Sequence, residues 1–241
     1  MSRISRLAAV GTVLVALAAG GCSAGTGDEK TAAPATPTPT PTAVDETQFT
    51  RDGTFQSHIN IDGVDFVYTL YPTKSTPRTH EWYPRGAKNF TITLTAYDLD
   101  RKIRDKFATK RRVFLDRINI TSTTSTGSAD EPDTDATDTQ PPYALSAQAR
   151  RITWDPEPLA SKRYGMLITS PKGSFELRNQ KIGTVDLSTR EVTLHISSTV
   201  YIQRAAGESS YERHTVEQDV PITIFASEKK TPFTKIPVDA N

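Results

Sequence analysis

Apolar and polar residues alternate along several short segments of the chain, a pattern typical of β-strands that bury one face. The most regular of these segments are residues 54–61, 64–70, 89–97 and 191–203. The first two are separated by Asp62-Gly63, a pair that favours a two-residue type I′ hairpin loop. The pattern therefore predicts that residues 54–70 form a β-hairpin.

Residues 216–225 are predicted as another strand, and weaker alternation predicts four more, at residues 114–121, 145–154, 164–169 and 175–178. Residues 183–187 are expected to form a hairpin with 191–203 through a turn at 188–190. Pro221 cannot donate a ladder hydrogen bond, so we expect its strand to lie at a sheet edge or to contain a bulge.

One helix is predicted, at residues 99–112, where Ile103 and Phe107 have the i, i+4 spacing of a helix face. Elsewhere about ten short strands separated by turn signals favour an all-β protein. We expect an immunoglobulin-like or related antiparallel β-sandwich. The predicted organisation is a domain at 48–228 with a disordered acidic loop at 122–142, followed by a C-terminal tail at 229–241. Two small domains joined by the acidic loop are the alternative.

The N-terminus has the composition of an export signal. Arg3 and Arg6 precede an uncharged, mostly apolar run at residues 7–19. That run has the length of a signal-peptide core and is too short to span a bilayer, which needs about 20 residues. Residues 1–21 are therefore excluded from the predicted fold.

Small residues follow the apolar run and lead to Cys22, the only cysteine of the chain. This segment resembles the signal peptides of bacterial lipoproteins, in which small residues directly precede a cysteine. Gly20 and Gly21 fit that pattern, whereas Ala19 stands where the family usually carries Leu, Val or Ile. An ordinary secretory signal and an uncleaved signal anchor are the alternatives.

The resemblance implies cleavage between Gly21 and Cys22, a diacylglyceryl thioether on Cys22, and a position on the outer face of the cell membrane. Two acyl chains hold a protein essentially permanently at a bilayer. Residues 22–47 are rich in Thr and Pro and predict a disordered linker, because closely spaced prolines forbid helix and central strand. Such linkers are similar to those of actinobacterial lipoproteins, where the threonines can be O-glycosylated; a bare spacer is the alternative.

The charge balance argues against a nucleic-acid partner. The chain has 29 basic and 28 acidic residues, and loss of the two signal arginines leaves 27 and 28, a net charge of −1. With Cys22 committed to lipid, no thiol remains for a disulfide, a thiolate metal site or a cysteine nucleophile. No cofactor is expected.

The sequence contains no metal-binding motif that identifies a site. The acidic stretch Asp130, Glu131, Asp133, Asp135 and Asp138 does not match a calcium loop, which needs glycine at its sixth position and Glu where Ala144 stands. The four histidines lack short metal-ligand spacing. His-Glu-x-x-His is also missing, and a catalytic triad can assemble from distant residues.

Two segments have the composition of contact surfaces. In residues 79–86, Trp82, Tyr83 and Arg85 are the residue types that dominate binding hot spots. The alternative is that Trp82 or Tyr83 folds back onto the core. The second is the basic run Arg101, Lys102, Arg104, Lys106, Lys110, Arg111 and Arg112, which could meet an anionic polymer or lipid headgroups. Its alternative is a solvated face paired with nearby carboxylates.

These observations lead to three functional hypotheses. The first is a non-enzymatic, lipid-anchored module that binds an envelope protein, glycan or anionic polymer. The second is a surface hydrolase whose active residues come together only in three dimensions. The third is an accessory subunit that docks on a membrane complex.

The lipoprotein hypothesis predicts the behaviour of Cys22→Ser. This change removes the only acceptor for a thioether-linked lipid, so incorporation of radiolabelled palmitate should be abolished and the protein should leave the membrane fraction. Continued membrane association with cleavage at another site would show that the anchor is not at Cys22.

Overall fold

A computed structural model describes residues 49–50, 52–73, 78–126 and 142–233 of the chain. These residues form antiparallel sheets with almost no helix, which confirms the predicted all-β, sandwich-like class. The described residues contain one short α-helix, Ala149–Ile152, and two 3₁₀ turns, Thr79–Glu81 and Phe107–Thr109. None of the described helices has the length and apolar composition needed to cross a membrane.

The strands of the described residues are β1 (Phe55–Ile61), β2 (Val64–Pro72), β3 (Lys88–Asp98), β4 (Val113–Ser125), β5 (Leu145–Gln148), β6 (Ala160–Ser161), β7 (Gly165–Leu167), β8 (Phe175–Ile182), β9 (Glu191–Gln203) and β10 (Tyr211–Thr223). One sheet has the order β1-β2-β3-β8, and the other has the order β10-β9-β4-β7-β6, with β5 also paired to β4. Strands from before and after residues 127–141 pair with one another in both sheets.

The β1–β2 hairpin forms as the sequence predicts. Asp62 and Gly63 have φ of 51° and 69°, the left-handed values that a type I′ turn requires at both central positions. The two-residue loop sets the register, so that Ile61 opposes Val64 and Phe55 opposes Leu70. The apolar residues of both strands therefore face the same side of the sheet.

Strand β9 has the predicted bounds, but its predicted partner is wrong. Residues 183–190 are not strand, and β9 pairs with β10 on one side and β4 on the other. Val185 is buried, and its N–H donates to Pro84 O, so this segment packs on the loop before β3 instead. Pro221 lies in β10, the edge strand of its sheet, which confirms its predicted edge position.

The weaker predicted strands differ from the observed ones mainly in length. Strand β4 continues to Ser125 because β9 pairs with it along its whole length, although residues 121–125 are all Thr or Ser. Residues 149–154, predicted as strand, form the short helix and a loop. Strand β8 extends past residue 178 to 182, and β10 begins at 211 and ends at 223.

The predicted helix at residues 99–112 is wrong. A helix of that length would separate its ends by about 20 Å. Instead, Asp98 and Arg111 are joined: Arg111 Nη2 lies 2.9 Å from Asp98 Oδ1, and the Arg111 backbone N–H donates to Asp98 Oδ2 at 2.8 Å. The chain between them folds into successive turns that we call the basic loop, residues 99–112.

Arg111 also holds the hairpin turn. Its Nη1 donates to Asp62 O at 2.7 Å, and its Nη2 donates to Gly63 O at 3.0 Å. One almost buried guanidinium therefore connects the β1–β2 turn, the end of β3 and the start of β4. Because β4 belongs to the second sheet, this contact joins the two sheets at one end.

The inner faces of both sheets form one continuous hydrophobic core. Alternate residues of β2 and β9 are buried, as a sheet with one inner face requires. Within this core the buried Tyr68 hydroxyl of β2 donates to Ser198 Oγ of β9 at 2.9 Å. Burial raises the pKa of Tyr68, so the hydroxyl stays protonated and keeps this cross-sheet bond.

A short segment after β7 is shared by the two sheets. Ile168 N–H donates to Val113 O of β4, while Ala96 N–H of β3 donates to Ile168 O, both at 2.9 Å. Ser170 N–H then donates to Ala96 O, also at 2.9 Å. We call residues 168–170 the crossover segment, because its backbone is hydrogen-bonded to a strand of each sheet.

The contacts of Arg111 predict a large cost for its removal. Arg111→Met leaves the buried Asp98 carboxylate without its guanidinium and should lower the free energy of unfolding by about 3 kcal/mol, measured in urea. Arg104→Met, an exposed position of the same loop without an ion pair in the described residues, should change it by less than about 0.5 kcal/mol. Equal effects of the two variants would show that the ion pair does not hold the loop.

Candidate functional site

Several predicted features lie outside the described residues. Gly21 and Cys22 are among them, as are the linker at 22–47 and the acidic residues Asp130, Glu131, Asp133, Asp135 and Asp138. Their assignments stay predictions. The predicted binding loop and the basic run both lie within the described residues.

The residues of the predicted binding loop are not a common exposed surface. Trp82 is 0% exposed and belongs to the core, so the expectation of an accessible Trp82 is wrong and the alternative that it folds inward is confirmed. Tyr83 is half-buried, and Arg85 is exposed. Of the three, Arg85 alone presents its side chain freely to a partner.

The backbone of this loop is held at successive positions. Phe225 N–H donates to Trp82 O at 2.9 Å, and Val185 N–H donates to Pro84 O at 3.0 Å. The Lys88 ammonium is buried beneath the loop and donates to the carbonyls of Tyr83, Pro84 and Gly86 at 3.2, 3.3 and 3.0 Å. Such a network suits a structural anchor better than an adaptable contact loop.

The residues after β10 complete this anchor. Tyr83 N–H donates to Thr231 Oγ1 at 3.0 Å, and Thr231 N–H donates to Arg85 O at 2.8 Å. Lys230 and Thr231, which the sequence assigns to a C-terminal tail, are therefore docked on the loop.

A groove lies on the outer face of the four-stranded sheet, beside the basic loop. Its volume is about 450 Å³. The outward residues Gln56, His58, Asp65, Val67 and Tyr97 form its floor, and Leu99, Arg101, Ile103 and Lys110 of the basic loop form one wall. The groove is thus where the predicted basic run meets the sheet.

Among the residues that the structure describes, the two cations of this wall have no carboxylate partner. Arg101 Nε donates to Thr109 O at 3.1 Å, and Lys110 Nζ donates to Ile103 O at 3.0 Å. Within the described residues neither forms an ion pair, and Lys110 is only 4% exposed. Of the basic run, Arg111 alone is paired there, so the alternative of a face paired with carboxylates does not describe this loop.

The two carboxylates of the groove, in contrast, each have a side-chain partner. Asp65 Oδ2 lies 2.8 Å from His58 Nδ1, and Asp98 binds Arg111. The groove therefore offers positive charge from Arg101 and Lys110 that is not neutralised by its own acids. A buried cation without a counter-ion favours an anionic ligand, because the ligand would repay part of the cost of burial.

The same wall also carries apolar side chains. Leu99 is 54% exposed and Ile103 is 63% exposed, and both line the groove. Exposed aliphatic side chains beside unpaired cations suit a ligand that carries an anionic group on an apolar segment.

A second cavity, of about 300 Å³, lies on the outer face of the six-stranded sheet and bears on the hydrolase hypothesis. His195 there has Nδ1 2.8 Å from Asp219 Oδ1 and Nε2 3.0 Å from Thr123 Oγ1. Among the described residues this is the one hydroxyl–imidazole–carboxylate chain of hydrogen bonds. His195 and Asp219 are directly opposed on β9 and β10, an ordinary cross-strand pair, and Thr123 does not line the cavity.

No group of three or more His, Cys, Asp or Glu side chains that could hold a metal ion occurs among the described residues.

The described Trp that does reach the surface is Trp154, which is 57% exposed. Arg178 stacks on its ring with Cζ 4.1 Å from the centroid, and Glu176 binds that guanidinium. The sequence predicts a strand at Trp154 and does not identify it as a contact residue.

The groove could be predicted only in part. The hairpin register follows from the two-residue turn, and it places His58 diagonally across from Asp65 on the outer face. The burial of Lys110 carries no such local signal, because it depends on the closure of the basic loop by Asp98 and Arg111.

No protein-family model matches this chain, and no curated protein matches it.

Burial of Lys88 predicts a pH dependence of stability. Burial lowers the pKa of Lys88 to about 8 from its ordinary value of 10.5, so the native state releases the proton more easily than the unfolded chain. The free energy of unfolding should therefore rise between pH 8 and pH 10, by at most about 1.4 kcal/mol per pH unit. Lys88→Met should flatten this rise in urea titrations.

The control for this experiment is Lys181→Met, an exposed position opposite Asn89 on β8, which should keep the rise. Burial also raises the pKa of Tyr68 and Tyr143, but these groups lower stability only above pH 10. An unchanged rise in Lys88→Met would contradict the assignment.

Proposed function

We propose that this protein is a lipid-anchored cell-envelope module that binds an anionic amphiphile in the groove and does not catalyse a reaction. The anionic group lies beside Arg101 and Lys110, and the apolar segment lies along Leu99 and Ile103. An envelope lipid and a lipid-linked envelope polymer share this chemistry.

The observation that carries the proposal is the unpaired charge of Lys110. A lysine with 4% exposure normally has a carboxylate partner, and within the described residues Lys110 has one carbonyl contact instead. Its remaining N–H groups are donors for a phosphate or carboxylate. Arg101 supplies a second, planar donor group in the same wall, which suits bidentate binding of an oxyanion.

The N-terminus supports the location of this ligand. A diacylated Cys22 would hold the domain at the outer face of the membrane, and the Thr/Pro linker of residues 22–47 would let it reach about 30–75 Å from the surface. The groove would then sample the lipids and polymers of the envelope. Retention at one membrane raises the local concentration of both partners.

The hydrolase hypothesis has weaker support. The Thr123–His195–Asp219 arrangement has suitable distances, but Thr123 Oγ1 lies outside the adjoining cavity and is a poor nucleophile in that position. The groove itself offers the His58–Asp65 pair without a hydroxyl bonded to it; the other ring nitrogen of His58 lies 3.2 Å from Gln56 Nε2. A binding function, unlike hydrolysis, needs only side chains that are present in the groove and no further catalytic group.

The test is calorimetric titration of the full-length chain, held in phosphatidylcholine nanodiscs, with three soluble probes. Hexyl phosphate carries both the anion and the apolar segment, whereas inorganic phosphate and hexanol each carry one. Hexyl phosphate should bind more tightly than either. Lys110→Met and Arg101→Gln should each weaken it by about tenfold, which corresponds to about 1.4 kcal/mol.

Arg104→Gln is the matched control, because Arg104 lies on the same loop, is exposed and does not line the groove. It should leave the affinity for hexyl phosphate nearly unchanged at physiological salt. Equal losses in Arg104→Gln and Arg101→Gln would indicate general surface charge rather than a site. An affinity that is insensitive to both Lys110→Met and Arg101→Gln would contradict the groove and would favour the docking-subunit hypothesis.

A further inference from the structure

A cluster of aromatic rings lies on the outer face of the six-stranded sheet, away from the groove. Phe114 of β4, Tyr201 of β9 and Tyr211 of β10 contribute to it, together with Tyr164 from the turn before β7. We call these four residues the aromatic patch. Phe114 is nearly buried and forms its floor, and the three tyrosines are half-exposed.

Tyr164 is the centre of the aromatic patch. Its ring centroid lies 4.3 Å from that of Tyr211, 5.2 Å from that of Tyr201 and 6.1 Å from that of Phe114. Neighbouring strands are about 4.8 Å apart, so the rings on β10, β9 and β4 cover about 10 Å of surface. That width matches about two linked sugar rings.

The sequence at this turn allows Tyr164 to approach the sheet. Gly165 follows it with φ of 97°, and a Cβ at that position would lie 2.2 Å from Leu115 O. Only glycine permits both this backbone conformation and this approach. The turn can therefore hold the Tyr164 ring against its neighbours while the side chain stays partly exposed.

Arginines surround the aromatic patch. The Arg163 guanidinium lies 5.2 Å from the Tyr164 ring centroid, and Arg213 is directly opposite Tyr201 on β10. Burial raises the pKa of Tyr211, and the positive charge of Arg112 opposes that rise. None of these three arginines forms an ion pair within the part of the chain that the structure describes.

We propose that the aromatic patch binds an acidic glycan, a polymer of uronic acid units. The apolar C–H faces of sugar rings stack on exposed aromatic rings, whose faces carry partial negative charge. The carboxylate of each uronic acid unit is a planar oxyanion, and the guanidinium of Arg163 or Arg213 can bind it with two parallel hydrogen bonds. The tyrosine rings would thus stack on the sugar rings, and the neighbouring arginines would bind the sugar carboxylates.

A single-stranded nucleic acid would also use aromatic rings and arginines. The overall charge disfavours it, because the chain is nearly neutral and a phosphate backbone favours a basic protein. Tight binding of oligothymidylate would indicate a nucleic acid instead.

The experiment titrates the full-length chain in phosphatidylcholine nanodiscs with oligogalacturonate by calorimetry. The same oligomer with its carboxylates fully methyl-esterified keeps the stacking faces and removes the charge, and oligothymidylate represents single-stranded nucleic acid. Oligogalacturonate should bind, and its ester should bind at least tenfold more weakly. Tyr164→Ala should reduce the affinity for oligogalacturonate at least tenfold.

Arg163→Gln combined with Arg213→Gln changes only exposed positions and should reduce the affinity for oligogalacturonate to that of the ester. Tyr71→Ala, on the outer face of the other sheet, is the control and should bind like the unchanged protein. Melting curves of every variant establish that the fold is kept. The proposal is overturned if oligogalacturonate does not bind, if the arginine variant binds it normally, or if oligothymidylate binds more tightly through the same residues.

Discussion

The arrangement of this domain depends on the contacts of one guanidinium. Arg111 binds Asp98 at the end of β3 and the carbonyls of the Asp62-Gly63 turn, and it stands directly before β4. The chain between Asp98 and Arg111 must therefore return to its starting point, and its cations are gathered along one edge of the outer sheet face. The groove exists because this loop is closed, so the position of Lys110 is a consequence of an ion pair rather than of the basic run itself.

Hydrophobic alternation and turn residues predict those parts of the fold that depend on interactions between residues close together in the sequence. The alternation in β9 and the Asp62-Gly63 turn are sufficient because burial of one face and positive φ act over a few residues. The basic loop is mispredicted because the spacing of Ile103 and Phe107 is compatible with a helix, and nothing nearby reveals that the ends of the segment are joined. The burial of Trp82 has a similar explanation, since its loop is held by backbone hydrogen bonds from Phe225 and Val185, which lie far along the chain.

The groove and the aromatic patch also depend on contacts between distant parts of the chain, which local sequence patterns do not show. Composition shows that the chain is almost neutral, and it does not show how the charges are distributed. The two carboxylates of the groove pair with His58 and Arg111, so within the described residues Arg101 and Lys110 have no counter-ion. The aromatic patch is likewise assembled from residues far apart in sequence, and its cross-strand neighbours could be identified only once the pairing of β4, β9 and β10 was known.

The crossover segment has a consequence for how the domain opens. Because Ile168 and Ser170 bond β3 while Ile168 also bonds β4, neither sheet can peel away without breaking backbone hydrogen bonds of the other. Local opening is normally confined to units that share few such bonds. We therefore expect the two sheets to behave as one cooperative unit toward slow amide exchange and toward proteases. Such cooperativity keeps partly unfolded, cleavable states rare.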